Sequence, residues 1–237
     1  MYSGCAFVRG RPAPPDTPGA RGAIGRHERA RITDGLFRGG RGRRCTTTTR
    51  TGRQRTDALA RAELRLRTLQ RLLGIGGDGL PAAIDEAATL LAEAFGADKV
   101  DVLLYRAERD TLAAAGTSDT PMGHRQQGLG LDRLAVGNGG LAVRVFRSGE
   151  TLRTGRADTD REELRGVVEE LGVRSALLVP LAGAAGRRGV LSVASAAPER
   201  FDADDLEFAL AAAGWMGLLL CAHPLRRQPG RARLTVG

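Results

Sequence analysis

Two apolar runs in the second half of the chain constrain the fold more than any other feature: SALLVPL over residues 175–181 and GVLSVAS over residues 189–195. Both have strand length and strand composition. Residues 183–188 between them are glycine- and arginine-rich, so the pair reads as adjacent strands joined by a turn. Pro180 lacks an amide proton and belongs where ladder pairing is released. Gly189 permits close backbone approach after the turn, and Ser192 sits on the strand face opposite Leu191 and Val193.

Upstream, KVDVLLY over residues 99–105 reads as a strand with Val100, Val102 and Leu104 on one face. Residues 111–115 form its expected partner after a turn at 108–110, and residues 151–154 a further short strand. Helices show the other period. Ile84, Ala87, Ala88, Leu91, Ala92 and Phe95 recur at three and four behind Pro81, and Gly96 closes that helix. Leu141, Val145 and Phe146 mark a short helix ended by Gly149, and residues 162–171 another stopped by Gly172. A last helix is capped by Asp202 or Asp204, with an apolar stripe of Leu206, Leu210, Ala213, Gly217 and Leu220. Residues 116–134, rich in glycine and polar side chains, read as a loop. Paired strands flanked by helices predict an α+β sandwich: a central antiparallel sheet of five to six strands with helices packed on it.

Charge is distributed unevenly. In residues 1–57 thirteen arginines stand against Asp16, Glu28, Asp34 and Asp57, which accounts for the net +9 of the whole chain. Lys99 is the single lysine among 36 basic residues. That ratio points to coding bias rather than to a phosphate-binding surface, so no nucleic-acid partner is expected. Residues 1–56 also hold four prolines and the run Thr46-Thr47-Thr48-Thr49, and are expected to be a disordered arm. Residues 57–79 follow as an amphipathic helix and glycine-rich linker, residues 80–222 as the folded domain and residues 223–237 as a disordered tail. In the helix Leu59, Leu66 and Leu73 lie seven apart, with Ala62 and Leu69 between them. That stripe suits packing on a neighbour or on its own copy. Cys5, Cys45 and Cys221, with His27, His124 and His223, have neither disulfide-framework nor metal-ligand spacing, so no metal is expected. No membrane span or secretory signal is read, and the expected compartment is the cytoplasm.

The ordered set LLAEAFGADKVDVLLY, GNGGLAVRVFRSGETL, GVRSALLVPL, GVLSVAS and FDADDLEFALAAAGWMGLLL resembles the GAF domain family of small-molecule sensory modules. The resemblance covers residues 80–222. It implies a pocket between the sheet and a covering layer of loop and short helices, and a regulatory domain of a bacterial signalling protein. Phe201-Asp202 matches part of the family's cyclic-nucleotide signature, but its Asn-Lys pair is absent, and no cysteine is placed for a bilin. The cofactor is therefore unknown. The expected lining is Val102 and Leu104 of the first strand, Leu141 and Phe146 of the covering helix, Val179, Ser192, and His124 of the loop. Free methionine-R-sulfoxide reductases share the fold, but the cysteines here fall outside the pocket segments, so no enzyme is expected. The expected partners are a small effector, a second copy through the Leu59–Leu66–Leu73 helix and the helix carrying Leu206 and Leu220, and an output protein. The alternatives are a ligand-free dimerisation module or a fragment of a sensor histidine kinase-type protein.

Overall fold

A computed structural model describes residues 47–75, 79–183 and 186–222. The expected arm up to residue 46, the tail from residue 223, and Gly76 and Gly77 of the linker lie outside the described residues. Helix α1 (Thr47–Gly74) leads to α2 (Leu80–Phe95). Strands β1 (Lys99–Arg106) and β2 (Thr111–Thr117) follow, then α3 (Pro121–Gly128), β3 (Arg133–Ala135), α4 (Leu141–Ser148) and β4 (Leu152–Thr154). The hairpin of β5 (Ser175–Gly183) and β6 (Gly186–Ser195) precedes α5 (Ala203–Ala222). All the strands form one antiparallel sheet in the order β3-β2-β1-β6-β5-β4.

The period-two alternation sorts each strand onto two cores. Val100, Val102, Leu104, Leu177, Val179, Leu181, Leu191 and Val193 join Phe95 of α2 and Phe208, Met216 and Leu220 of α5 in one buried cluster. Leu103, Ala176, Leu178, Val190 and Ala194 face the other way and pack with Leu141, Val143 and Val145 of α4. On this second face α4 lies over β5 and β6, and α3 over β1. Gly96, at φ 55°, turns the chain out of α2, and the Ala97 N–H closes the helix on Ala92 O at 3.0 Å. Arg200 Nη2 donates to the freed Phe95 carbonyl at 2.6 Å.

The start of α5 is fixed twice over. The Asp205 N–H donates to Asp202 Oδ1 at 2.9 Å, and the Asp202 N–H donates back to Asp205 Oδ2 at 2.8 Å, a reciprocal cap built from two aspartates. Helix α1 supplies their counter-charges: Arg61 pairs with Asp202 at 3.1 Å and Arg65 with the buried Asp205. The Arg65 guanidinium also lies 5.6 Å from the Phe208 ring centroid.

Several expectations are corrected. α1 begins at Thr47, inside the span expected to be disordered. Its inner face is Thr68 and Leu72, both buried, while Leu59, Leu66 and Leu73 are 65%, 58% and 75% exposed. Leu59, Leu66 and Leu73 of the heptad stripe thus point away from the domain, while Leu69 packs against its core. The expected loop over 116–134 contains α3, capped by Thr120 Oγ1 accepting from the Gly123 N–H at 3.2 Å, and β3. The helix expected over 162–171 is a single wide turn, Gly166–Glu170, closed by the Leu171 N–H on Gly166 O. Gly166 and the β-branched Val167 and Val168 are poor helix formers. Of the expected stripe of α5, Ala213, Gly217 and Leu220 are buried, Leu206 is half-buried and Leu210 is exposed, and Phe208, Ala209, Ala212 and Met216 widen the buried face. Among the described residues α5 is the one helix whose length and apolar composition would suit a membrane span, and this inner face is in the core.

At the centre of the sheet Gly189 pairs with Leu104, and a β-carbon there would stand 1.8 Å from the Leu103 carbonyl oxygen. Gly189→Ala is expected to lower stability by about 3 kcal/mol, read as a shift of the urea midpoint at constant slope.

Candidate functional site

The face of β1 opposite Val100, Val102 and Leu104 carries Lys99, Asp101, Leu103 and Tyr105. It points at the α3–α4 cover. Lys99 and Asp101 are 5% and 2% exposed, as deeply buried as their apolar neighbours. Removing two charges from water costs several kcal/mol each unless geometry and further hydrogen bonds compensate. Here the compensation is extensive. The Lys99 ammonium donates to Asp101 Oδ2 and to Oε1 of Gln126, which reaches down from α3. Gln126 Nε2 donates to Asp101 Oδ1 at 3.0 Å, and Thr117 Oγ1 donates to the same oxygen at 3.0 Å. The carboxamide therefore bridges cation and anion, its oxygen on one and its nitrogen on the other.

Sheet register sets the neighbours of this group. Thr117 is opposite Asp101 on β2 and Ser192 is opposite it on β6, so two hydroxyl side chains flank the carboxylate in one cross-strand row. The Val100 N–H donates to Ser118 Oγ at 2.9 Å beneath the start of α3. Glu163, in the segment after β4, accepts from the Leu164 N–H at 2.8 Å and from the first amide of α4, that of Leu141. Burial pushes its carboxyl above the usual range, against the pull of those amides and of the Lys99 charge. Glu162, beside it, pairs with Arg144 of α4 at 2.7 Å. Both glutamates tie this segment to α4 and cap no helix of their own.

Two clefts border α3. One, of about 410 Å³, is lined by Asp85 and Thr89 of α2 and by Thr117, Ser118, His124 and Gln127. The other, of about 370 Å³, is lined by Asp98, Thr120, Met122, Arg125 and Leu171. A third, of about 420 Å³, lies between β5 and α5 around Pro180, Leu210, Gly214 and Leu218.

The seven expected lining residues are not brought together. Val102, Leu104 and Val179 are buried on the α2–α5 face, in the core shared with those helices. Leu141 is buried beneath the cover, Phe146 stacks on Tyr105 with ring centroids 4.8 Å apart, and Ser192 lies on the same face. His124 is on the outer side of α3, where Nε2 stands 2.8 Å from Asp119 Oδ1 and its side chain is exposed. Lys99, Asp101, Gln126 and Glu163 escaped the sequence reading. A signal for the first two was present: in KVDVLLY the residues alternating with Val100, Val102 and Leu104 start with a lysine and an aspartate.

A family model described as GAF domain matches residues 79–220. No curated protein matches the chain. Among solved structures, free methionine-R-sulfoxide reductase from Neisseria meningitidis in complex with its substrate is 22% identical at a TM-score of 0.57. It covers 69% of this chain and 89% of its own. The GAF domain of an Acinetobacter phosphoenolpyruvate-protein phosphotransferase is 17% identical at 0.55, covering 68% and 92%. Reduced free methionine-R-sulfoxide reductase from Staphylococcus aureus is 15% identical at 0.54, covering 68% and 95%. These likenesses fix the fold. They also correct the expectation of a domain without enzymatic activity, since this fold houses enzymes as well as sensory modules. That expectation rested on cysteine positions, and Cys5 and Cys45 lie outside the described residues.

The Glu163 carboxyl binds its proton more tightly in the folded chain than in the unfolded one. Its contribution to stability therefore declines as pH rises from the ordinary carboxylate range through the raised folded value. Glu163→Gln removes that titration. Urea midpoints of the variant are expected to gain on those of the parent between about pH 4 and pH 7; an unchanged gap would show that Glu163 ionises freely.

Proposed function

The chain belongs to the GAF domain family, a general sensory and regulatory fold, and on that premise we propose that it is the sensory domain of a bacterial signal-transduction protein. The ligand is a small molecule held between the sheet and the α3–α4 cover, next to Lys99, Asp101 and Ser192, with Leu141 and Phe146 as its apolar wall. One observation carries this reading: a buried, hydrogen-bonded charge pair lies within a largely apolar layer, under a short helix bordered by clefts on both sides. Stability alone favours apolar packing at such a position. A polar group retained there is a recognition element in waiting.

The relay runs through the sheet. β1 and β6 carry site residues on one face, and on the other face Leu104 and Leu191 pack in the core with α2 and α5. The Arg61 and Arg65 contacts then couple α5 to α1. Helices α1 and α5 pass the change to an output partner. A reducing cytoplasm is the proposed compartment, in keeping with the free, exposed Cys221 thiol. In a thermal-melting panel of nucleotides and metabolites, a specific ligand at 100 times its Kd is expected to add about 2.7 kcal/mol of stability. A flat response across the panel counts against the sensory reading.

A second copy is the proposed partner of α1. Leu59, Leu66 and Leu73 repeat at heptad spacing on its outer face, and Leu218 is exposed on α5. Leu66→Glu is expected to convert a dimer to a monomer in light scattering without moving the far-ultraviolet circular dichroism. A parent chain that is monomeric at micromolar concentration would remove the dimer.

A further inference from the structure

Gln126 is the feature whose chemistry reaches beyond a generic pocket. Its carboxamide occupies the Lys99–Asp101 pair as a guest occupies a receptor, offering an acceptor to the ammonium and a donor to the carboxylate. We propose that Lys99 and Asp101 form a receptor for a small molecule with a planar, neutral amide-type edge (a carboxamide, lactam or ureido group), and that Gln126 is its internal occupant, displaced together with α3 when the ligand binds. This rests on the sensory reading above and names the ligand class it left open.

Charge selects the class. The pair is neutral as a unit and almost completely buried. A carboxylate or an ammonium ligand in place of Gln126 would leave one net charge in a low-dielectric layer, whereas an amide edge exchanges like for like. The two hydrogen bonds made by Gln126 have opposite polarity, so the incoming group needs one acceptor and one N–H side by side. The Thr117 hydroxyl, whose proton goes to Asp101, keeps its acceptor side, and Ser192 in the same cross-strand row offers a second hydroxyl to further polar atoms of the ligand.

The cover is built for such an exchange. The first half of α3 is fixed: Thr120 caps it, and a β-carbon at Gly123 would fall 2.4 Å from the Ser118 carbonyl oxygen. The second half leads into Gly128, which has open space around it, and Gly130, at φ 69°. Gln126 belongs to this second half. Lifting it carries the carboxamide out of the pair, between clefts that already border the helix.

The test uses the full chain with Gln126→Ala, which removes the equivalent of acetamide from the side chain. The variant is expected to melt about 5 °C or more below the parent, because buried partners of the amide are orphaned. Acetamide at about 50 mM should then raise the melting temperature of the variant and leave the parent unchanged, through mass action on the vacated pair. Acetate and methylammonium at the same concentration should not. Equal effects of the three probes, or no effect of acetamide on the variant, would overturn the proposal.

Should the alanine variant not fold, Gln126→Glu supplies the second readout. A protonated carboxyl presents the same donor and acceptor, whereas a carboxylate repels Asp101. Lys99 and Asp101 contact the group, Glu163 lies within range of the Lys99 charge, and His124 with Asp119 sits on the outer side of α3. The melting gap between parent and glutamate variant should narrow from pH 7 to pH 5; a constant gap would overturn the proposal. Rescue by acetamide with no panel ligand for the parent sustains the receptor and sinks the sensory reading. A panel ligand without rescue does the reverse.

Discussion

Strand β1 is paired along both edges, with β2 and with β6, so each of its side chains must commit to one of two buried faces. Everything else in the domain follows from that constraint. Valine and leucine at the even positions build the core beneath α2 and α5. The odd positions start with Lys99 and Asp101, and the second layer has to accommodate a charge pair as well as apolar surface. The arrangement of α3 over β1, with Gln126 aimed inward, is the local answer. A sheet edge would have let those charges reach water; the centre of a sheet does not.

How much of this was legible beforehand depends on how local the cause is. Period-two and period-three-to-four patterns located β1, β5, β6, α2 and α4, because each has one face dictated by burial. The turn glycines Gly96 and Gly149 were readable for the same kind of reason: a left-handed residue ends a helix whatever lies beyond it. Failures came where a second element decides. The most regular leucines of α1 mark its outer face except at Leu69; Thr68 and Leu72 are buried beside it, and Arg65 meets the domain through Asp205 of α5, 140 positions away in sequence. Helix α3 was missed because its anchoring is one polar side chain and a threonine cap, neither of which produces hydrophobic periodicity. The seven proposed lining residues divided between two faces because alternation tells which residues share a face, not what covers it.

The cover and the opposite helices are joined through material that is stiff and material that is exchangeable. The sheet is stiff: its central strands pair along both edges, and Gly189 packs so closely on β1 that no other side chain fits. The polar contacts of α3 are exchangeable, since hydrogen bonds from Gln126 can be replaced one for one by those of another amide. A domain with a replaceable contact on one side of a rigid sheet and ion-paired helices on the other has the layout for turning occupancy into a helix displacement.

The arginines of α1 give that helix a status that its position in the chain conceals. The family match starts at residue 79, yet the carboxylates that cap α5 have their counter-charges at Arg61 and Arg65. Severing the chain at the family boundary would leave the buried Asp205 facing α1's former place with no cation. The contacts between α1 and the first turn of α5 thus extend beyond the family match, as far upstream as Arg61. A segment joined upstream of α1 is therefore linked to the capped first turn of α5 through Arg61 and Arg65.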